Sequence, residues 1–141
     1  MTVILRIGLA LLAAVELTIG VWNQFWPRHF FDHFPTVSLT PPFAEHYARD
    51  FGGASIGIGM VLLFAAIVPR TVLVIPALVG VSAFGIPHFV FHLHHLEHAT
   101  PAEVGFLVTS TGLAAWVPPL LLVVAVVRMV RERRLRDPAV G

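Results

Sequence analysis

Four apolar stretches, each long enough to cross a bilayer, are crowded into a chain of 141 residues. A transmembrane helix needs roughly 20 apolar residues at ~1.5 Å rise each. The stretches predict helices over about Thr2–Trp26, Pro42–Val68, Thr71–His95 and Glu103–Arg131. Hydrophobic residues make up 57% of the chain and charged ones 12%. A soluble domain this small has too little interior to hide so much apolar surface. The sequence therefore predicts an all-α, integral membrane, four-helix antiparallel bundle forming a single domain over 1–141.

The connections fit that reading. Pro69-Arg70 makes a short turn, so the second and third helices are expected to form a tight antiparallel hairpin. The linker 27–41 is rich in Phe, Pro and His and reads as an interfacial outer loop, with a helical turn at His29–His33. Thr40 is placed to cap the second helix, with Pro41 and Pro42 in its first turn. Thr2–Trp26 is too long for a signal-peptide core and lacks a clean small-x-small site, so it reads as a retained helix. It ends in the aromatic belt Trp22, Phe25 and Trp26. The tail 132–141 is polar and reads as a fraying cytoplasmic segment.

Orientation follows from arginine, the chain's sole basic residue apart from histidine. Arg6, Arg70, Arg128, Arg131, Arg133, Arg134 and Arg136 fall on one side of the expected bundle, Arg28 and Arg49 on the other. The arginine-rich side is expected in the cytoplasm, with both termini. The arginine run Arg128–Arg136 then reads as a topology anchor that also meets anionic lipid. Cysteine is absent, which excludes disulfides and thiolate chemistry, and the absence of lysine excludes Schiff bases. No basic patch suggests nucleic acid.

All eight histidines fall in the outer half. On the second helix His46, Asp50, Gly53 and Gly57 share one stripe at helical spacing. The glycines are expected to let a neighbouring helix approach, so the stripe should face protein. Gly52 and Gly59 also read as packing residues. On the third helix Val81, His88, His92 and His95 share a stripe, with Pro87 expected to bend the helix or free a carbonyl. Counting turns pairs Asp50 with His88, and His46 with His92 or His95. Glu16, Gly20 and Asn23 share a face of the first helix. Thr109, Ser110 and Thr111 lie at similar depth on the fourth, where Pro118-Pro119 predicts a bend. Glu45 and Arg49 read as a self-neutralising i, i+4 pair. His29, His33, His94 and His98 read as interface residues.

Intramembrane ionisable side chains are functional candidates. Carboxylates and histidines on facing helices are what bundle metal sites use. The expected ligands are His46, Asp50, His88 and His92, with Glu16 and His95 as further ligands or their supports. Zinc, iron or copper suits such donors. Haem ranks lower, because the cluster is acidic and compact. Three further readings stay open: acid/base chemistry on a lipid-like substrate through Glu16 and Asp50, a polar network that only joins helices, and a structural subunit of a membrane complex. The bilayer is the first expected partner; a homo-oligomer or a complex partner is compatible with all of these.

Glu45-His46 with Arg49-Asp50-Phe51-Gly52-Gly53, then Gly85-Ile86-Pro87-His88 through His92 to His95, resemble small four-helix membrane proteins of actinobacteria, DoxX-like in size and helix count. The resemblance covers most of the chain. DoxX-like proteins are associated with membrane redox complexes, but the resemblance carries no residue role over. The H-x3-D spacing of His46 and Asp50 is also similar to the H-x3-E of sterol isomerase-like four-helix proteins, whose other site residues are not matched here.

Overall fold

The computed structural model describes residues 1–39 and 42–136, with Arg136 described by its backbone. Five helices form among these residues: α1 (Thr2–Phe25), α2 (Pro27–His33), α3 (Glu45–Ile67), α4 (Thr71–Leu93) and α5 (Pro101–Arg136). Four of them, all but α2, are long and apolar enough to cross a membrane. Their outward side chains are large and apolar: Val3, Ile7, Leu11, Met60, Phe64, Val72, Leu120 and Val123 are all exposed. Water would penalise each of these, whereas acyl chains solvate them.

The helices associate mainly as two pairs, α1 with α3 and α4 with α5. In the first pair Gln24 lies against Gly52, Gly20 against Ile56, Leu17 against Gly59, and Arg6 Nη2 reaches the Ile67 carbonyl at 3.5 Å. The numbering thus runs in opposite senses along the contact. The second pair behaves likewise: Phe89 meets Gly112, Gly85 meets Ala114, and Arg128 reaches Thr71. Gly85 has a local cause for its closeness. Pro118 has no N–H to give the carbonyl four residues before it, so the Ala114 oxygen lacks its helical donor. Gly85 presses on that oxygen: a Cβ there would stand 2.8 Å away.

Several expectations change. The glycine contact on α3 is Gly52 and Gly59, with buried Ser55 between them; among the described residues a Cβ on Gly57 would meet nothing within 4 Å, and one on Gly53 would meet at most Gln24 Oε1 at 3.4 Å. The His46–Asp50–Gly53–Gly57 stripe therefore faces away from the bundle. The expected tight α3–α4 packing gives way to α1–α3 and α4–α5 packing, because Gly20, Gly52 and Gly59 let α1 and α3 close instead.

Helix ends also differ. α3 begins at Glu45 rather than Pro42, and Pro42-Phe43 leads into it as irregular chain. Thr40 and Pro41, expected as cap and first turn, lie outside the described residues. α4 and α5 remain helical through Pro76, Pro87, Pro118 and Pro119. At its start α5 has a capping box: Glu103 Oε2 accepts from Thr100 N at 2.8 Å, and Glu103 N donates to Thr100 Oγ1 at 3.4 Å, with Pro101 first in the helix. At its end α5 continues to Arg136 instead of stopping at Arg131. Arg, Glu and Leu are strong helix formers, and Arg128–Glu132 adds an i, i+4 ion pair at 3.5 Å.

The core lies at the arginine end. Leu5, Leu9, Ala13, Leu62, Ala65, Val74, Leu78, Val81, Leu121 and Ala125 form one buried cluster there. At the other end the two helix pairs are held close internally by glycines, but a space opens between them.

Candidate functional site

That space is a cavity of about 420 Å³. Ile19 and Asn23 of α1 and Tyr47, Ala48 and Phe51 of α3 line one side. His88 and His92 of α4 and Phe106, Leu107, Ser110 and Thr111 of α5 line the other. Its roof is α2 with the following loop, through Phe30, Phe34, Thr36 and Phe43.

Aromatic contacts build the roof. Phe30 sets its ring edge-on to Trp22 at 5.2 Å between centroids and stacks on Phe34 at 4.7 Å. Phe34 reaches across to Phe106 of α5 at 6.2 Å, and Phe31 meets Phe43 at 5.4 Å. The Arg28 guanidinium lies 5.3 Å from the Phe43 ring centroid and pairs with Asp32 at 2.9 Å. Thr36 has φ of 73°, a left-handed conformation that a β-branched residue adopts only under constraint. Its hydroxyl bonds the Pro35 carbonyl. Strained backbone of this kind clusters at binding sites, and here it turns the chain over the cavity.

The polar complement is sparse. Asn23 is 3% exposed, and its Nδ2 has no hydrogen-bond partner among the described residues. The hydroxyls of Ser110 and Thr111 donate to the Phe106 and Leu107 carbonyls of their own helix. Their lone pairs remain as acceptors. His88 stacks on Phe84, with centroids 5.3 Å apart, and meets His92 edge-on at 4.6 Å. The cavity thus offers hydroxyl acceptors and two imidazoles within an aromatic shell, with Asn23 in its wall.

The residues expected as one ligand set are divided. His88 and His92 share the cavity wall. His46 and Asp50 form their own pair, 3.3 Å apart, with side chains 83% and 61% exposed. The α3 side chain that approaches α4 at this depth is Phe51, 5.8 Å from Phe84. His95 stacks on Phe91 and bonds its carbonyl through Nδ1 at 2.7 Å. Glu16 lies half-buried deeper in the α1–α3 contact, where the buried Ser55 hydroxyl faces its carboxyl group. Among the described residues no three His, Asp or Glu side chains converge as a ligand set.

Of the polar residues that the sequence brings to similar depth, Asn23, His88, His92, Ser110 and Thr111 line the cavity, whereas Glu16, His46, Asp50, His95 and Thr109 do not. The sequence reading missed the roof. The signal was available in Phe30, Phe31 and Phe34, too many aromatics for a linker that only spans an interface, with Phe43 just beyond it. His29 and His33 stand off the cavity: they stack at 4.1 Å, and His29 Nδ1 accepts from Trp22 Nε1 at 2.9 Å. Arg49 does more than neutralise Glu45, since it also donates to the Gln24 carbonyl at the end of α1.

No family model matches the chain, and neither curated proteins nor solved structures give a significant match.

Proposed function

We propose that this is a four-span antiparallel membrane bundle, both termini cytoplasmic, which binds an amphipathic lipid-like molecule in the aromatic cavity of its outer half. The observation that carries this reading is the Asn23 amide. A buried donor without an acceptor costs about 1–3 kcal/mol, and such groups need an explanation. A small turn of the amide would bring this nitrogen to a ligand oxygen, carbonyl or hydroxyl, in the adjoining cavity. The aromatic shell suits the ligand's apolar body, in line with sites that combine apolar walls and a few polar groups. Ser110 and Thr111 offer acceptors to a hydroxyl head, and His88 and His92 offer either role. If the ligand is also a substrate, these imidazoles are the acid/base groups that share its cavity, whereas Glu16 and Asp50 do not line it.

The test is organic extraction and mass spectrometry of protein purified in mild detergent. A defined lipid should accompany the parent chain and be depleted in Asn23→Leu. Indistinguishable lipid profiles would overturn the reading.

A transition metal is the second reading, favoured by the adjacency of His88 and His92 at 4.6 Å. Two imidazoles leave a zinc-like site short of ligands, so the rest must come from the ligand, water or a second chain. Elemental analysis of protein purified without a His-tag separates the two readings. Stoichiometric metal that disappears in His88→Ala supports the second.

A further inference from the structure

The opposite end of the molecule holds a second cavity, about 810 Å³ and open to the outside, around the α3–α4 turn. We propose that it seats the phosphate of an anionic phospholipid between Arg70, Arg128 and Arg133, over the N-terminus of α4.

Three observations converge there. First, among the described residues Arg70, Arg128 and Arg133 line the cavity with Glu132 as its one carboxylate, so the charge of that lining is positive. Second, α4 starts at this point with no side-chain cap. The first-turn N–H groups of a helix lack intrahelical partners, and they carry the positive end of its dipole. Thr71 and Val72 of that turn line the cavity. Third, Arg128 is 6% exposed and only partly satisfied. Its Nη2 donates to the Pro69 carbonyl at 2.6 Å, whereas its Nε makes no hydrogen bond among the described residues and pairs with Glu132 Oε1 only at 3.5 Å. A guanidinium whose charge is offset only by a long ion pair, beside an uncapped helix start and two further arginines, matches the chemistry of a phosphate.

The walls select the source of that phosphate. Val72, Ile75, Pro76 and Met129 continue the cavity along the apolar faces of α4 and α5. Val72 is 74% exposed. Free phosphate gains nothing from this surface, whereas the glycerol backbone and acyl chains of a lipid lie along it. The assignment holds whichever leaflet this end occupies.

Native mass spectrometry of the full chain released from detergent tests the proposal, with phosphatidylglycerol and phosphatidylcholine as probes. The parent should retain phosphatidylglycerol over phosphatidylcholine. Arg70→Gln with Arg133→Gln should cut that retention by about 10-fold or more, since both guanidiniums would hold the phosphate directly by charge-assisted hydrogen bonds. Arg131→Gln with Arg134→Gln removes the same charge outside the cavity and should leave retention nearly unchanged. Arg128 is left intact because it also holds the Pro69 carbonyl. Equal losses in the two double variants would reduce the effect to diffuse charge attraction and overturn the site. Equal retention of phosphatidylcholine, or displacement of the lipid by millimolar inorganic phosphate, would overturn the lipid assignment.

Discussion

Gly52 of α3 sits so close to Gln24 of α1 that a Cβ on it would stand 2.5 Å from the Gln24 backbone nitrogen. Backbone cannot step aside as a flexible side chain does. Gly52→Ala should therefore separate α1 from α3 and lower stability in detergent by about 1–3 kcal/mol. Gly57→Ala, where nothing lies within 4 Å, should be neutral or slightly stabilising. Thermal denaturation of both variants checks the assignment of the packing face, and equal losses would refute it.

Arg128 is expected to hold the turn between α3 and α4. Its guanidinium donates to the Pro69 carbonyl at 2.6 Å and approaches Thr71 Oγ1 at 3.3 Å. Hydrogen bonds from charged groups contribute about 1.5–3 kcal/mol. Arg128→Met should cost a comparable amount, whereas exposed Arg131→Met should cost little. The comparison is made by urea or thermal unfolding in one detergent. A null result for Arg128→Met would show that the turn holds without it.

The sequence was most legible where hydropathy alone decides the outcome. Three of the spans agree with the helices to within three residues because apolar length dictates them, and the fourth runs five residues past its expected end. The start of α5 was also available, since Thr100-Pro101-Ala102-Glu103 has capping-box spacing with Pro first in the helix. Helix facing was less legible. α3 has glycine on more than one face, at Gly52 and Gly59 and at Gly53 and Gly57, so its pattern alone does not say which pair meets a neighbour. The difference comes from Gly20 and Leu17 on α1, a tertiary relation with no local signature. The same ambiguity placed Asp50 opposite His88. A rotation of one residue about a helix, roughly 100°, is enough to exchange Asp50 for Phe51 as the side chain facing α4.

The arginine distribution sets the expected topology. Seven arginines lie at the end that holds the start of α1 and the end of α5, and two, Arg28 and Arg49, lie at the cavity end. A reporter that is active only in the cytoplasm should work at the C-terminus, and a periplasm-active one should be silent there. The reverse pattern would place the cavity on the cytoplasmic face.

His88 and Asp50 should now behave differently under substitution. His88 lines the cavity, whereas Asp50 is paired with His46 on an exposed face. His88→Ala should change the bound lipid or metal content of the purified protein. Asp50→Asn should leave both unchanged and, with its carboxylate 61% exposed, should affect stability little. If Asp50→Asn alone abolished ligand or metal, the exposed α3 face would be the site and the cavity reading would fail.

Asn23 should display a conflict between stability and binding. Its Nδ2 is buried without an acceptor, so the empty protein bears the desolvation cost of that group. Replacing such a group with an apolar one of similar volume is often neutral or stabilising. Asn23→Leu should therefore leave the empty protein as stable as the parent or more stable, by up to about 1–3 kcal/mol. The same change removes the donor expected to hold the ligand oxygen, so the variant should lose the extra stability that bound ligand lends the parent. Thermal unfolding before and after exhaustive delipidation separates the two effects. The parent should fall on delipidation and Asn23→Leu should not, so their order should reverse once lipid is gone. A parent that keeps its unfolding temperature after delipidation, or an Asn23→Leu chain that loses stability while empty, would make Asn23 a packing residue and remove the ground for a ligand in the cavity.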